Sequence, residues 1–134
     1  VVIIKEAKRK KSNMSSLGIR LPLTRDSSDG FTMLKTLRQM TKQNFKMLLL
    51  TNPGERIMEP NFGVGLKRYL FNNFMSKTQS AISEKINQQV KLYMPVIRIT
   101  DLQFESSPDT NSIRIIIQYQ IPTVGINDLL DLTI

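Results

Sequence analysis

At Pro95 the spacing of apolar residues changes period, and that change constrains the fold more than any other feature of the chain. Before it, Ala81, Ile82, Ile86, Val90 and Tyr93 recur every three or four residues, the spacing of one stripe on a helix. After it, Ile113, Ile115, Ile117, Tyr119 and Ile121 alternate, the spacing of one face of a strand. Proline lacks the N–H that a helix interior needs, so the switch is abrupt. Helices first and antiparallel strands last make an α+β chain.

Reading outward from that point gives the remaining elements. Ser76-x-x-Gln79 is a capping-box signature and predicts a long helix from Ser76 to about Tyr93. Further upstream, Leu34, Leu37, Phe45 and Leu48, with Thr41 between, predict another long helix over 31–50. Asp29 or Thr32 is its expected cap, and Asn52-Pro53-Gly54 ends it. Arg56 to Met58 reads as a short extended piece, and Leu66, Tyr69, Leu70 and Phe74 read as two turns of a short helix. On the strand side, the alternation slips between Ile99 and Leu102, which predicts a bulge. The loop "SSPDTN" joins two strands as an antiparallel hairpin, and the tail "INDLLDLTI" extends as a third strand or pairs with another chain.

The expected architecture is two long helices and a short one packed on a small antiparallel sheet. Residues 31–134 form that single domain, and residues 1–30 form an extended basic arm, because "KEAKRKKSN" and the Ser- and Asp-rich stretch after it bury too little to order alone. So small a sheet leaves open edges, and an open edge invites strand addition by a neighbour.

The chemical inventory is narrow. Among 134 residues there is no cysteine and no histidine, which removes disulfides, thiolate zinc sites and every Ser-His or Cys-His nucleophile pair. Gly63-Val-Gly65 resembles the start of a phosphate loop, but the third glycine of a dinucleotide fingerprint is replaced by Arg68 and no Gly-Lys-Ser/Thr follows. Those glycines read as backbone shape. Glu55 and Glu59 are the nearest pair of carboxylates for hydrolysis, yet both sit among turn residues beside Arg56, which favours their charged forms. No catalytic, metal-binding or cofactor-binding residue is expected. The formal charge of +8 favours an acidic partner, and the run at Lys5 and Lys8 to Lys11 is the best candidate for touching nucleic acid. No aromatic residue interleaves that run, so bases would find no stacking platform. No apolar run approaches the ~20 residues of a membrane span. Met33, Met40 and Met47, seven apart, read as core or partner packing.

"LGIRLPL", the block Leu50-Thr-Asn-Pro-Gly-Glu-Arg56, and Pro60-x-Phe62-Gly63-x-Gly65-Leu66 followed by Leu70-Phe71 occur in that order, with Tyr93-Met94-Pro95 before the hairpin. Together they resemble the small baseplate wedge and sheath-initiator family of contractile phage tails, with relatives in type VI secretion and other injection baseplates. The resemblance covers about residues 17–121. It implies a structural protein in several copies of a symmetric assembly, either at a virion tail baseplate assembled in the host cytoplasm or, as the alternative, in the bacterial cytoplasm as part of a secretion or injection baseplate. Its implied partners are wedge subunits, the tail sheath and tube-proximal baseplate proteins. The family has also carried a lysozyme label, which the carboxylates here do not support. Many members carry Glu-Pro-Arg at the end of the long helix; this chain has Met94-Pro95-Val96, with Arg98 two residues on. The residues expected to face partners are Arg56, Met94, Pro95, Arg98, Ile113, Ile115, Ile117, Leu130 and Leu132. Asn52, Pro53, Gly54, Phe62, Gly63 and Gly65 are expected to shape the turn. The competing readings are a nucleic-acid-binding module built on the basic arm and a glycan hydrolase.

Overall fold

The computed structural model describes residues 16–27, 30–71, 76–107, 109–110 and 112–134, and of Phe71 the backbone only. The basic run at Lys5 and Lys8 to Lys11, the cap proposed for Asp29, and Phe74 lie outside the described residues. Elements follow in the order β1 (Gly18–Ile19), β2 (Arg25–Asp26), β3 (Gly30–Phe31), β4 (Met33–Leu34), α1 (Leu37–Leu50), a 3-10 helix (Leu66–Phe71), α2 (Ser76–Tyr93), β5 (Arg98–Ser107), β6 (Ser112–Ile121) and β7 (Ile126–Thr133). The main sheet is antiparallel with strand order β5-β6-β7, and the tail is its third strand. The register shifts between Ile99 and Asp101, where the slipped alternation predicts a bulge.

Several expectations are corrected. The first helix starts at Leu37, not near Phe31, and its cap is Thr36, whose Oγ1 accepts from the Gln39 N–H at 3.3 Å. Residues 30–34 are extended instead, because β1 pairs with β4 and β2 with β3 as nested antiparallel ladders. This unit crosses residue 30, contains a cis Leu21–Pro22 bond, and is tied to α1 through Gln43, which accepts from the Leu21 N–H and donates to the Ile19 carbonyl, both at 2.9 Å. Ala81 is exposed rather than part of the buried stripe of α2, which is Ile82, Ile86, Gln89 and Val90.

The core lies between the inner face of the sheet and the two long helices. Ile113, Ile115, Ile117, Tyr119 and Ile121 of β6 meet Phe45, Leu48 and Leu49 of α1, Ile82, Ile86 and Val90 of α2, and Leu130 and Leu132 of β7. Phe45 and Tyr119 pack edge to face, ring centres 5.3 Å apart. Ile113, Ile115, Ile117, Leu130 and Leu132 therefore point their side chains into the protein rather than toward a partner. β6 is also flanked on both sides, so the open edges belong to β5 and β7.

Candidate functional site

Two surfaces and one buried network stand out, and all three touch α1 or the turn block that follows it. In that block, Gly54 N–H donates to the Pro60 carbonyl at 2.7 Å, and Val64 and Gly65 N–H groups donate to the carbonyls of Leu48 and Thr51, each at 3.0 Å. Gly63 has φ of +109°, and a Cβ there would overlap the Thr51 carbonyl oxygen, so only glycine fits. Its N–H donates to Oε1 of the buried Gln89 at 2.9 Å, and Gln89 Nε2 donates to the Asn61 carbonyl at 3.1 Å. Asn52 is held by Glu55, whose carboxylate accepts from Asn52 Nδ2 at 2.6 Å and from its N–H at 3.2 Å. The loop is thus clamped to α1 on one side and α2 on the other.

Its outer surface forms a chain of stacked groups. The Arg56 guanidinium lies 3.7 Å over the Phe62 ring, and Phe62 meets Tyr93 edge to face at 5.0 Å. The Tyr93 hydroxyl donates to Glu59 at 2.8 Å, and that bond raises the Tyr93 pKa. Both carboxylates considered for hydrolysis, Glu55 and Glu59, are therefore occupied in local hydrogen bonds. At the loop tip Ile57 and Met58 are 94% and 93% exposed.

Beside this stack runs a groove of about 610 Å³, walled by Leu37, Met40, Asn44 and Met47 of α1 and floored by Tyr93, Met94, Pro95 and Val96. The structure thus brings Arg56, Met94 and Pro95 together on one surface. Arg98 is elsewhere: it stands opposite Gln120 on the solvent face of the sheet.

The second surface is the β7 edge. Ile113 and Ile134 exchange both backbone hydrogen bonds, at 3.1 and 3.0 Å. By the two-residue alternation of an antiparallel ladder, Asp128, Leu130 and Leu132 turn their backbone groups toward β6, while Asn127, Leu129, Asp131 and Thr133 turn theirs outward. The Leu129 N–H is capped at 2.9 Å by Oδ1 of Asp128. Among the described residues, Asn127, Asp131 and Thr133 have no backbone partner on that side.

The buried network was not anticipated. Asp128, whose side chain is 3% exposed, accepts from Arg38 Nη2 at 2.7 Å and from the Tyr119 hydroxyl at 3.1 Å, with Lys42 Nζ 3.8 Å away. The Arg38 hydrogen bond holds the Asp128 carboxyl down to about pKa 2, against the opposing effect of burial. Burial and the neighbouring Asp128 charge push the Tyr119 hydroxyl well above its ordinary value. The network pins α1 to β7. Its signal was in the sequence: Asp128 shares the inward parity of Leu130 and Leu132, and a charge at an inward position needs partners. Gln89, a polar residue inside the stripe of α2, carried the same kind of signal.

Among the described residues no three His, Cys, Asp or Glu side chains cluster to hold a metal, and no helix is long and apolar enough to cross a membrane.

Residues 35–124 match the family described as baseplate wedge protein gp25. The chain belongs to that family. Its coarse role follows: a structural component of the baseplate of a contractile tail. No curated protein is similar enough in sequence to match. Three solved structures share the fold of this baseplate wedge protein. One is described as a candidate tail lysozyme from Geobacter sulfurreducens, with TM-score 0.67, 20% identity, and coverage of 77% of this chain and 94% of that one. Another comes from the six-fold symmetrised baseplate of the anti-feeding prophage, with TM-score 0.67, 21% identity, and coverage of 77% and 82%. The third comes from the post-contraction baseplate of pyocin R2, with TM-score 0.52, 21% identity, and coverage of 84% and 96%.

Proposed function

We propose that this wedge protein is a non-enzymatic scaffold of the inner baseplate that starts sheath assembly by accepting a strand on its open sheet. The observation that carries the reading is the outward backbone of β7, with donors and acceptors of Asn127, Asp131 and Thr133 facing solvent in register. An added strand gains main-chain hydrogen bonds there, and the alternation of side chains fixes which residues pair. The same scaffold docks to the helical bundle of the wedge through the groove at Met94 and Pro95. Where family members carry Glu-Pro-Arg, this groove presents Met40, Met47 and Met94 around Pro95, so its contact with an amphipathic helix is apolar. Occupied carboxylates and the missing histidine and cysteine support a role without catalysis.

The test is co-purification with candidate wedge and sheath subunits, followed by electron microscopy of the product. Sheath tubes that form only in the presence of this protein support initiation. Asn127→Pro together with Thr133→Pro removes two outward donors without touching the ladder to β6, since proline is tolerated on an edge strand whose N–H faces solvent. Normal sheath assembly with that variant would sink strand addition at β7. A chain that bound neither subunit but retained DNA in moderate salt would favour the basic arm and nucleic acid instead.

A further inference from the structure

The two open edges of the sheet differ in charge, and the difference selects a partner. Arg38, Lys42 and Lys46 stand four residues apart along α1 and make one basic stripe. Lys42 and Lys46 line a cleft of about 400 Å³ whose opposite walls are Arg20 of the amino-terminal hairpin and Leu130 and Asp131 of β7. The acids within reach are already engaged. Asp128 is taken by Arg38 and Lys42, and Asp131 lies in the fork of Arg114, 3.0 Å from Nε and 2.6 Å from Nη2. Arg20 and Lys46 make no ion pair among the described residues. The contrast with β5 comes from the helix stripe and not from the strands, since β7 carries Asp128 and Asp131 while β5 carries Asp101 and Glu105 with Arg98; the β5 ladder is also broken by the bulge at Ile99/Asp101.

We propose that β7 is the accepting edge and that the strand it accepts is acidic, with carboxylates at alternate positions on the side facing α1. This rests on the strand-addition reading above and names the chemistry of its partner. Successive side chains of an added strand point to opposite faces. Those on the helix side enter the cleft and meet Lys42, Lys46 and Arg20. Those on the solvent side lie next to Leu129 and Thr133, where uncharged residues fit. Backbone pairing supplies the affinity, and the charges choose the edge and reject other strands. The chain's own amino-terminal run, Lys5 and Lys8 to Lys11, has the wrong sign for this cleft.

The experiment uses the full chain, isotope-labelled, with three short peptides in which Thr alternates with Glu, Gln or Lys. Amide exchange at Asn127, Asp131 and Thr133 reports edge pairing, and fluorescence anisotropy reports affinity. The Glu peptide is expected to protect those amides and to bind about ten-fold tighter than the Gln peptide, since a few exposed ion pairs each contribute modestly. That preference should fade as salt rises toward about 0.5 M. It should reverse toward the Lys peptide in the exposed pair of substitutions Lys46→Glu and Arg20→Glu. Equal binding of the Glu and Gln peptides with β7 protected would overturn the acidic partner and leave strand addition standing. Protection at Leu102 and Ser106 instead would overturn the choice of edge. If no peptide protects either edge, or if β7 is protected only by self-association on sedimentation, the strand-addition reading fails with it.

Discussion

Replacing Gly63 by alanine isolates what shapes the turn block. The new methyl would enter the space of the Thr51 carbonyl oxygen, a backbone atom that cannot rotate away. The backbone at Gly63 also has φ of +109°, which an L-residue adopts at a strain of about 1–2 kcal/mol. Overpacking in a rigid setting adds about 1–3 kcal/mol. Any shift of the loop also loosens the bond from Gly63 N–H to Gln89. The expected total is about 3–5 kcal/mol, and a chain of 134 residues loses roughly 3.5 °C of Tm per kcal/mol, so Gly63→Ala should melt about 10–18 °C below the parent. Gly54→Ala is the control. Its φ is +94°, but a Cβ there meets nothing within 4 Å, so only backbone strain applies and a loss of about 4 °C is expected. Thermal melts by circular dichroism read both. If Gly63→Ala melted no lower than Gly54→Ala, the close approach to Thr51 would not be what holds the block, and the account of the motif would be wrong.

The remaining predictions concern the network, the clamp, the carboxylates and the tip. Because the folded state holds Asp128 down to about pKa 2, its contribution of about 2 kcal/mol is complete above roughly pH 5 and is lost as pH falls toward 2; urea midpoints measured from neutral to acid pH should show this fall in the parent and a smaller one in Asp128→Asn. Gln89→Leu leaves the buried Gly63 N–H without a partner and releases the carbonyl of the exposed Asn61, which should cost about 1–3 kcal/mol in chemical denaturation and speed tryptic cutting at Arg56. The parent and the Glu55→Gln/Glu59→Gln variant should be equally inactive on peptidoglycan in a turbidity assay; clearing by the parent that the variant lost would overturn the non-enzymatic reading. Ile57→Ser with Met58→Ser should change stability by less than about 0.5 kcal/mol, since both side chains are almost fully exposed.

Local period was the part of the fold that the sequence disclosed. Alternation in β6, the slip at the bulge and the stop at Pro95 all depend on neighbours a few residues apart, and each is found where the spacing puts it. The start of α1 was not disclosed, because Leu34 sits three residues before Leu37 and extends the helical stripe by accident. What keeps Gly30 to Leu34 extended is pairing with Gly18–Ile19 and Arg25–Asp26, and strands of two residues each are too short to carry a period that would mark them apart from the helix. The candidate site divides the same way. Arg56, Met94 and Pro95 could be named from the motif block and the helix stop, but their convergence with Met40 and Met47 is tertiary. The β6 isoleucines lie on one face, as the alternation predicts, but that this face meets α1 and α2 is tertiary, and whether β6 keeps an open edge depends on whether a third strand pairs with its second side. Once β7 does, the open edge moves to a strand whose own inward residues include a charge.

That charge explains how one helix serves two surfaces. Thr41, Phe45, Leu48 and Leu49 bury the central face of α1. At a turn of 100° per residue, Leu37, Met40, Asn44 and Met47 fall on one flank and wall the apolar groove, while Arg38, Lys42 and Lys46 fall on the other and border β7. A helix held only by its apolar stripe could roll within the core, moving both flanks together. Asp128 opposes that roll, because its carboxylate takes Arg38 at 2.7 Å and the Tyr119 hydroxyl at 3.1 Å from a fixed place in the sheet. Directional hydrogen bonds fix an angle that hydrophobic contact leaves soft. Removing the carboxylate should therefore disturb the groove and the β7 edge at once: in Asp128→Ala, amide shift changes should run along both flanks of α1. Changes confined to residues touching Asp128 would show that packing alone sets the helix angle.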